Sequence, residues 1–266
     1  MSEHLPINLP RPAYSLALSL SFYALLVVVS LIQVFGIFRG LSSATGMDQA
    51  QIAREISRGN GFHTKFVRPY AWQQMILAGR NPAPTQLQDT CQPPVQPLIW
   101  SLVFKALEKH SAFEPATGSA MYLLDRVIGC LGAIWLLLTI GLTHFTMRRL
   151  FDDKVALFTS LVLILCQPLW EVAVSGSPQA LVMLWTAAGF WCFSHAVERS
   201  SAELPAWLPL AGVSLACGLL ALTHWMALWI VTGFLFATAM VMKRRSVSVL
   251  FPAAFPALCL AGWCLR

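Results

Sequence analysis

Charged side chains are scarce in this sequence. Asp, Glu, Lys and Arg make up only 11% of its 266 residues, whereas hydrophobic residues make up 57%. A soluble domain carries about 25% charged residues, and the mean hydropathy here is +0.64. The composition therefore argues against a soluble globular protein and favours a membrane protein.

Paired cysteines are also absent. The chain has seven cysteines but no Cys-x-x-Cys motif, and all of them except Cys91 lie in apolar runs. This pattern argues against a disulfide framework. We expect the cysteines to be small apolar fillers, with Cys91 a candidate exposed thiol.

Long uncharged runs account for most of the chain. They cover 12–38, 127–147, 155–170, 172–197, 204–242 and 246–265. A spanning helix needs about 20 apolar residues, so the run at 204–242 is long enough for two spans joined near 223–225. The run at 155–170 suffices if it passes Glu171 and reaches the Ser-Gly-Ser-Pro break at 175–178. The predicted fold is all-α, a polytopic transmembrane bundle of about seven spans.

The net charge of +6 is distributed as membrane topology requires. Arg148, Arg149 and Lys154 cluster between two spans, and 243–245 is a second basic cluster. Cytoplasmic loops of membrane proteins are enriched in Lys and Arg, so these clusters indicate topology and no nucleic-acid partner. Alternation then places the N-terminus in the cytoplasm and the long loop outside a plasma (inner) membrane that the chain crosses several times.

The polar insert at 39–120 carries most of the side chains capable of chemistry. Gly46 is expected to break the chain before Met47. Asp48 then opens a segment in which Ile52, Ala53 and Ile56 recur at helical spacing until Gly59-Asn60-Gly61. A second apolar segment follows Pro97 but is too short to cross a bilayer. We expect both segments to be interfacial amphipathic helices of an outer loop. Tryptophans near span ends are predicted to form an interfacial belt; these are Trp100, Trp170, Trp207 and Trp225.

The insert resembles the first outer loop of the GT-C membrane glycosyltransferases. More narrowly, it is similar to the dolichyl-phosphate-mannose protein mannosyltransferases and lipid A aminoarabinose transferases. Arg126, which opens a span ending in Met147-Arg-Arg-Leu-Phe, and the stretch 218–228 agree with that group. The matching loop residues are Asp48, Ala53, Arg54, Ile56, Gly59, Gly61, Phe62, Pro93, Pro94, Pro97 and Leu98.

The resemblance extends over residues 1–266 as a GT-C-like transmembrane domain, but only over the first half of a usual member. Further spans and a C-terminal outer domain would be expected. The chain is then a fragment, one part of a split enzyme, or a reduced relative.

The resemblance implies transfer of a sugar from a polyprenyl-phosphate donor to an acceptor on the outer face of the membrane. The expected partners are the lipid-linked donor, membrane lipid, and a glycan, lipid or protein acceptor. Asp48 would act as catalytic base or would organise a divalent metal, Mg or Mn, near the donor phosphate. Such a site needs cations for the leaving phosphate and a carboxylate for the acceptor proton.

Each candidate residue also has a simpler interpretation. Asp48 is equally suited to the positive end of a helix dipole, and Arg126 to an interfacial pair with Asp125 or to snorkelling. Glu171 either faces a cavity with Asp48 or lies at headgroup level. Lys65 and Arg68 are phosphate-ligand candidates or solvated loop charges.

Glutamine replaces charge at positions where relatives carry it. Gln49 stands for an acidic residue, Gln51 for an arginine, Gln92 for a lysine, and Gln179 for an acidic residue that opens the fourth span. These replacements favour the alternative function, a non-catalytic membrane scaffold subunit of an envelope glycan or protein assembly. A transporter fits less well, because the polar residues are concentrated in one outer loop.

Overall fold

The computed structural model describes residues 13–79, 87–88, 92–108, 122–241, 255–258 and 261–262. Within these ranges the chain is mostly helical and has a single two-stranded sheet, in which His63 pairs with Gln88 and Thr64 with Leu87. The helical fold class is therefore confirmed. Cys91, the basic cluster at 243–245 and most of the run at 246–265 lie outside the described residues.

The described helices and strands are numbered in chain order. A π-helical turn, Ile32–Ile37, continues the first helix, and a 3-10 turn, Trp225–Ala227, precedes the last. The elements are α1 Ala13–Leu31, α2 Ala44–Ser57, β1 His63–Thr64, α3 Pro69–Leu77, β2 Leu87–Gln88, α4 Val95–Glu108, α5 Leu123–Leu150, α6 Asp153–Leu165, α7 Gln167–Val174, α8 Gln179–Ser201, α9 Trp207–Thr223 and α10 Leu228–Val241.

Among the described residues, α5 and α8 are the helices long and apolar enough to cross a membrane, and a third span exists if the bent pair of α6 and α7 counts as one. The predicted count of seven spans is not supported. The uncharged run at 204–242 is divided at His224 into two short apolar helices, Trp207–Thr223 and Trp225–Val241. The number of uncharged residues in a run does not by itself predict a span, because a span also requires one continuous helix of sufficient length.

The breaks predicted at 175–178 and 223–225 are confirmed. Gly176 has a φ of +80°, which suits glycine, and α8 starts three residues later. The basic connection after α5 is a tight turn in which the Asp152 side chain caps α6 by accepting from the Val155 amide at 2.7 Å.

A 60° bend between α6 and α7 was not predicted. Pro168 has no amide hydrogen, so it cannot donate to the carbonyl of Ile164 four residues earlier. The indole Nε1 of buried Trp170 donates to that carbonyl instead, at 2.7 Å. Trp170 thereby satisfies the carbonyl that the proline leaves without a helical donor.

The main hydrophobic core joins α5 to α2, α4, α7 and α8. Trp100 and Phe104 of α4 are fully buried in it, as is Ala53 of α2. The predicted helices α2 and α4 are thus present, but α2 is enclosed by the protein on its polar side as well. The predicted tryptophan belt is wrong for Trp100 and Trp170, which are 0% and 1% exposed, while Trp207 is 65% exposed.

Candidate functional site

The first turn of α2 is fixed to the loop between α7 and α8. The Ser43 side chain caps α2 by accepting from the Gly46 amide at 3.2 Å, and the Ser43 amide donates to the carbonyl of Ser175 at 3.3 Å. Gly46 and Gly176 touch: a Cβ on Gly46 would lie 2.7 Å from the carbonyl of Gly176. Gln96 of α4 donates to the same carbonyl at 2.8 Å. Two sequence-distant segments thus meet backbone to backbone.

Asp48 lies one turn inside α2. The helix begins at Ala44, so Gly46 is a helical residue and does not break the chain as the sequence suggested. There is no acidic residue in the first turn of α2, which removes the helix-dipole interpretation of Asp48, because that effect is confined to the end turn.

The Asp48 carboxylate is 8% exposed and accepts from three side chains. The Thr64 hydroxyl donates to Oδ1 at 3.0 Å, and Gln92 Nε2 donates to Oδ2 at 3.1 Å. The Arg68 guanidinium forms an ion pair with Oδ2. These contacts compensate the burial of the charge.

Three of the four glutamines noted in the sequence surround Asp48. Gln49 Nε2 donates to Gln92 Oε1 at 3.0 Å, which fixes the amide of Gln92 with its Nε2 toward Asp48. Gln51 Oε1 accepts from the Lys65 amide at 2.8 Å and lies 3.2 Å from the Thr64 hydroxyl. These three glutamines form one neutral hydrogen-bonded set around a single carboxylate. Gln179 lies apart, exposed at the start of α8.

Glu55 is a buried carboxylate that the sequence analysis did not single out. It is 4% exposed; Lys65 Nζ lies 2.7 Å from Oε1, and Asn60 Nδ2 donates to Oε2 at 2.7 Å. Burial raises the pKa of Glu55. The hydrogen bonds from Lys65 and Asn60 and the positive charges of Lys65 and Arg58 outweigh burial, so the pKa lies below its ordinary value. Its spacing of seven residues from Asp48, two helical turns, is the signal that could have identified it.

Segment 63–68 is therefore attached to α2 at two points. Arg68 pairs with Asp48, and Lys65 pairs with Glu55. Both cations are partly exposed, with 35% and 49% of their side-chain surface accessible, whereas the two carboxylates beneath them are 11% and 6% accessible. Lys65 and Arg68 are thus loop cations that each pair with a carboxylate of α2.

The other two predicted site residues do not contact this cluster. The Arg126 guanidinium lies 5.7 Å from the centre of the Phe35 ring. Glu171 is exposed on α7 and accepts from Gln167 at 3.4 Å, and Gln167 in turn bonds Gln33 at 2.7 Å. Both residues therefore lie near the π-helical turn rather than beside Asp48.

The residues around Asp48 do not suit a divalent cation. Mg²⁺ requires about six oxygen ligands in octahedral geometry, whereas Asp48 is the one carboxylate of this set and faces the nitrogen donors of Gln92 and Arg68. The described ranges contain no group of three or more His, Cys, Asp or Glu that could hold a metal ion. A Mg or Mn site at Asp48 is not compatible with this donor set.

No protein-family model matches the chain, and searches of curated proteins and of solved structures find no significant match.

Proposed function

We propose that the chain is a GT-C-like glycosyltransferase of the plasma (inner) membrane, which transfers a sugar from a polyprenyl-phosphate donor to an acceptor on the outer face. The observation that carries the proposal is the pairing of buried Asp48 with the partly exposed Arg68. A carboxylate and a cation side by side are the two groups that such a transfer needs. The multi-pass topology with an outward loop belongs to the same proposal.

The cations would receive the donor. Arg68 and Lys65 lie above their carboxylates and present part of their surface outward. A phosphate attracts guanidinium groups strongly, often through two parallel hydrogen bonds. Arg68 would shift from Asp48 to the donor phosphate and would stabilise the charge that develops on the leaving group.

Asp48 would then act as general base. With Arg68 on the phosphate, Oδ2 becomes available to accept the proton of the acceptor hydroxyl. The acceptor oxygen forms a bond to the anomeric carbon while the bond between that carbon and the phosphate oxygen breaks. Its electron pair leaves with the polyprenyl phosphate, while Thr64 and Gln92 keep Asp48 in position.

The saturation of Asp48 favours a second candidate, a non-catalytic scaffold subunit. Three donors bind this carboxylate and neutral glutamines surround it, so Asp48 could serve only to attach segment 63–68 to α2. In that case replacing Asp48 would change the stability of the protein, and the protein would have no transfer activity for the substitution to reduce.

Transfer from a panel of radiolabelled polyprenyl-phosphate sugars separates the two. The protein is reconstituted in vesicles as wild type, Asp48→Asn and the control Glu203→Gln, an exposed residue of the α8–α9 connection. General bases contribute roughly 10²–10⁴-fold, so Asp48→Asn should lose at least about a hundredfold in rate while Glu203→Gln keeps the wild-type rate. Equal rates in all three remove Asp48 from the mechanism. Absence of transfer from every donor favours the scaffold.

A further inference from the structure

A cavity of about 430 Å³ lies between α5, α8 and α10. Small-molecule sites have volumes of about 300–1,000 Å³, and an apolar cavity of about 150 Å³ is already large enough to take up benzene. The space between these helices is therefore large enough for an extended ligand.

The walls of the cavity are apolar and contain no ionisable side chain. Its threonines add little polarity. The hydroxyls of Thr139, Thr146 and Thr186 donate to the carbonyls of Trp135, Leu142 and Val182 on their own helices, at 2.7–2.8 Å. With these hydroxyls bonded within their own helices, the threonine methyl groups can line the cavity together with Met183, Phe190 and Ile230. Water needs two to four polar partners to fill such a space, so the walls favour a hydrocarbon ligand.

The shape and the place of the cavity fit a chain. Its lining residues run along α5 from Thr139 to Met147 and along α8 from Val182 to Phe190, a length of about 12 Å on each helix. These two helices are the ones that satisfy the length and hydropathy of a membrane span. The cavity thus lies at a depth where lipid tails are the surrounding medium.

On α5 the cavity lies far from the Asp48 cluster, whereas on α8 it begins at Val182, three residues after the start of the helix. α2 contacts the start of α5, where the Arg54 guanidinium lies 5.4 Å from the centre of the Tyr122 ring. Thr139 is 17 residues further along, at a distance of about 25 Å on a straight helix. At the other end, Met147 precedes Arg149, which pairs with Glu198 of α8 and joins the C-terminal ends of the two helices.

We propose that this cavity binds one hydrocarbon tail of a bilayer lipid. The tail fills the space between α5, α8 and α10 and contacts the threonine methyls, Met183 and Phe190. This site is distinct from the proposed transfer site, because its walls hold no group suited to a phosphate or sugar.

Photolabelling tests the site directly. The protein is reconstituted in phosphatidylethanolamine vesicles doped with a phosphatidylcholine that carries a diazirine in the middle of one acyl chain. After irradiation, adducts are located by peptide mass spectrometry. In the wild type, the cavity residues of α8 should be labelled at least as strongly as the exposed α10 residues Trp229 and Phe236, which report labelling by the surrounding bilayer.

Two variants fill the cavity from different helices. Ala187→Phe and Thr143→Phe should each reduce cavity adducts about tenfold, whereas Ala239→Phe, on an exposed position of α10, should leave them unchanged. Circular dichroism and size exclusion verify folding, and Thr143→Phe decides if Ala187→Phe does not fold. Absence of adducts on the cavity residues while Trp229 and Phe236 are labelled, or unchanged labelling in a folded filled variant, overturns the proposal; the first result would mean that protein or nothing occupies the space.

Discussion

Gln92 Nε2 donates to Oδ2 of Asp48 at 3.1 Å, although 44 residues separate the two in sequence. The other end of the same amide accepts from Gln49. Gln92 thus connects the start of α4 to two consecutive residues of α2. The Asp48 cluster depends on this long-range contact as much as on α2 itself.

Replacing Gln92 by leucine should destabilise the protein by about 1–3 kcal/mol, because it leaves buried Gln49 Nε2 unpaired and removes one donor from Asp48. The apparent melting temperature in detergent should fall accordingly. Gln179→Leu, at an exposed glutamine, is the matched control and should change it little. Equal effects of the two substitutions would contradict a role for the amide contact.

Gly46→Ala should separate α2 from the α7–α8 loop. The added methyl would lie 2.7 Å from the Gly176 carbonyl, where only backbone can move. Overpacking of this kind costs about 1–3 kcal/mol, which a lowered melting temperature measures.

Gly233→Ala is the control for this substitution, since a Cβ at Gly233 meets nothing within 4 Å. In a helix such a change is neutral or stabilising by up to about 1 kcal/mol. A Gly46→Ala variant as stable as Gly233→Ala would show that the two backbones do not touch.

Glu55 should make stability depend on pH. Its pKa is lowered in the folded state from the model-compound value of 4.5, so its contribution is present above that value and is lost as pH falls through the lower folded pKa. Glu55→Gln should flatten the melting temperature between about pH 5 and pH 3 relative to the wild type.

Lys65→Met is a second variant for the same contact. It removes the first of the bonds that lower the pKa of Glu55 and should move the loss of stability to higher pH. Profiles of both variants parallel to the wild type would exclude Glu55 as the source.

Trp170→Phe should destabilise the bend between α6 and α7. The ring is retained, but the buried carbonyl of Ile164 loses its donor, which costs about 1–3 kcal/mol. Trp207→Phe, at a position 65% exposed, is the control and should have little effect on the melting temperature. A similar small effect of both would mean that the indole bond contributes nothing to stability.

Local signals in the sequence predicted much of the helical layout. The apolar period of α2 and the Ser-Gly-Ser-Pro break at 175–178 are short-range patterns, and both are confirmed as a helix and a turn. Asp48 and Arg68, predicted separately, are brought together by the structure. Arg126 and Glu171, predicted for the same site, contact Phe35 and Gln167 instead.

The remaining features depend on contacts that local patterns do not encode. The sequence predicts a break at Gly46, because glycine is a poor helix former. Gly46 lies within α2 instead, and the backbone of Gly176 leaves no room for a side chain at this position. The bend at Pro168 was not predicted. The proline leaves the carbonyl of Ile164 without a helical donor, and the Trp170 side chain donates to that carbonyl instead, a contact that no local pattern shows. Glu55 was not predicted as a site residue, because its contacts with Lys65 and Asn60 form only in the folded structure.

The bend of 60° also shortens the rise of the α6–α7 pair. An upright α6 of 13 residues rises about 20 Å, and α7, with eight residues tilted by that angle, adds only about 6 Å. The total of about 26 Å is less than the roughly 30 Å of a hydrocarbon core. In the proposed multi-pass topology, the loop after α7 would therefore stop short of the far surface of the bilayer, and the start of α2, held against Gly176, would stop short with it.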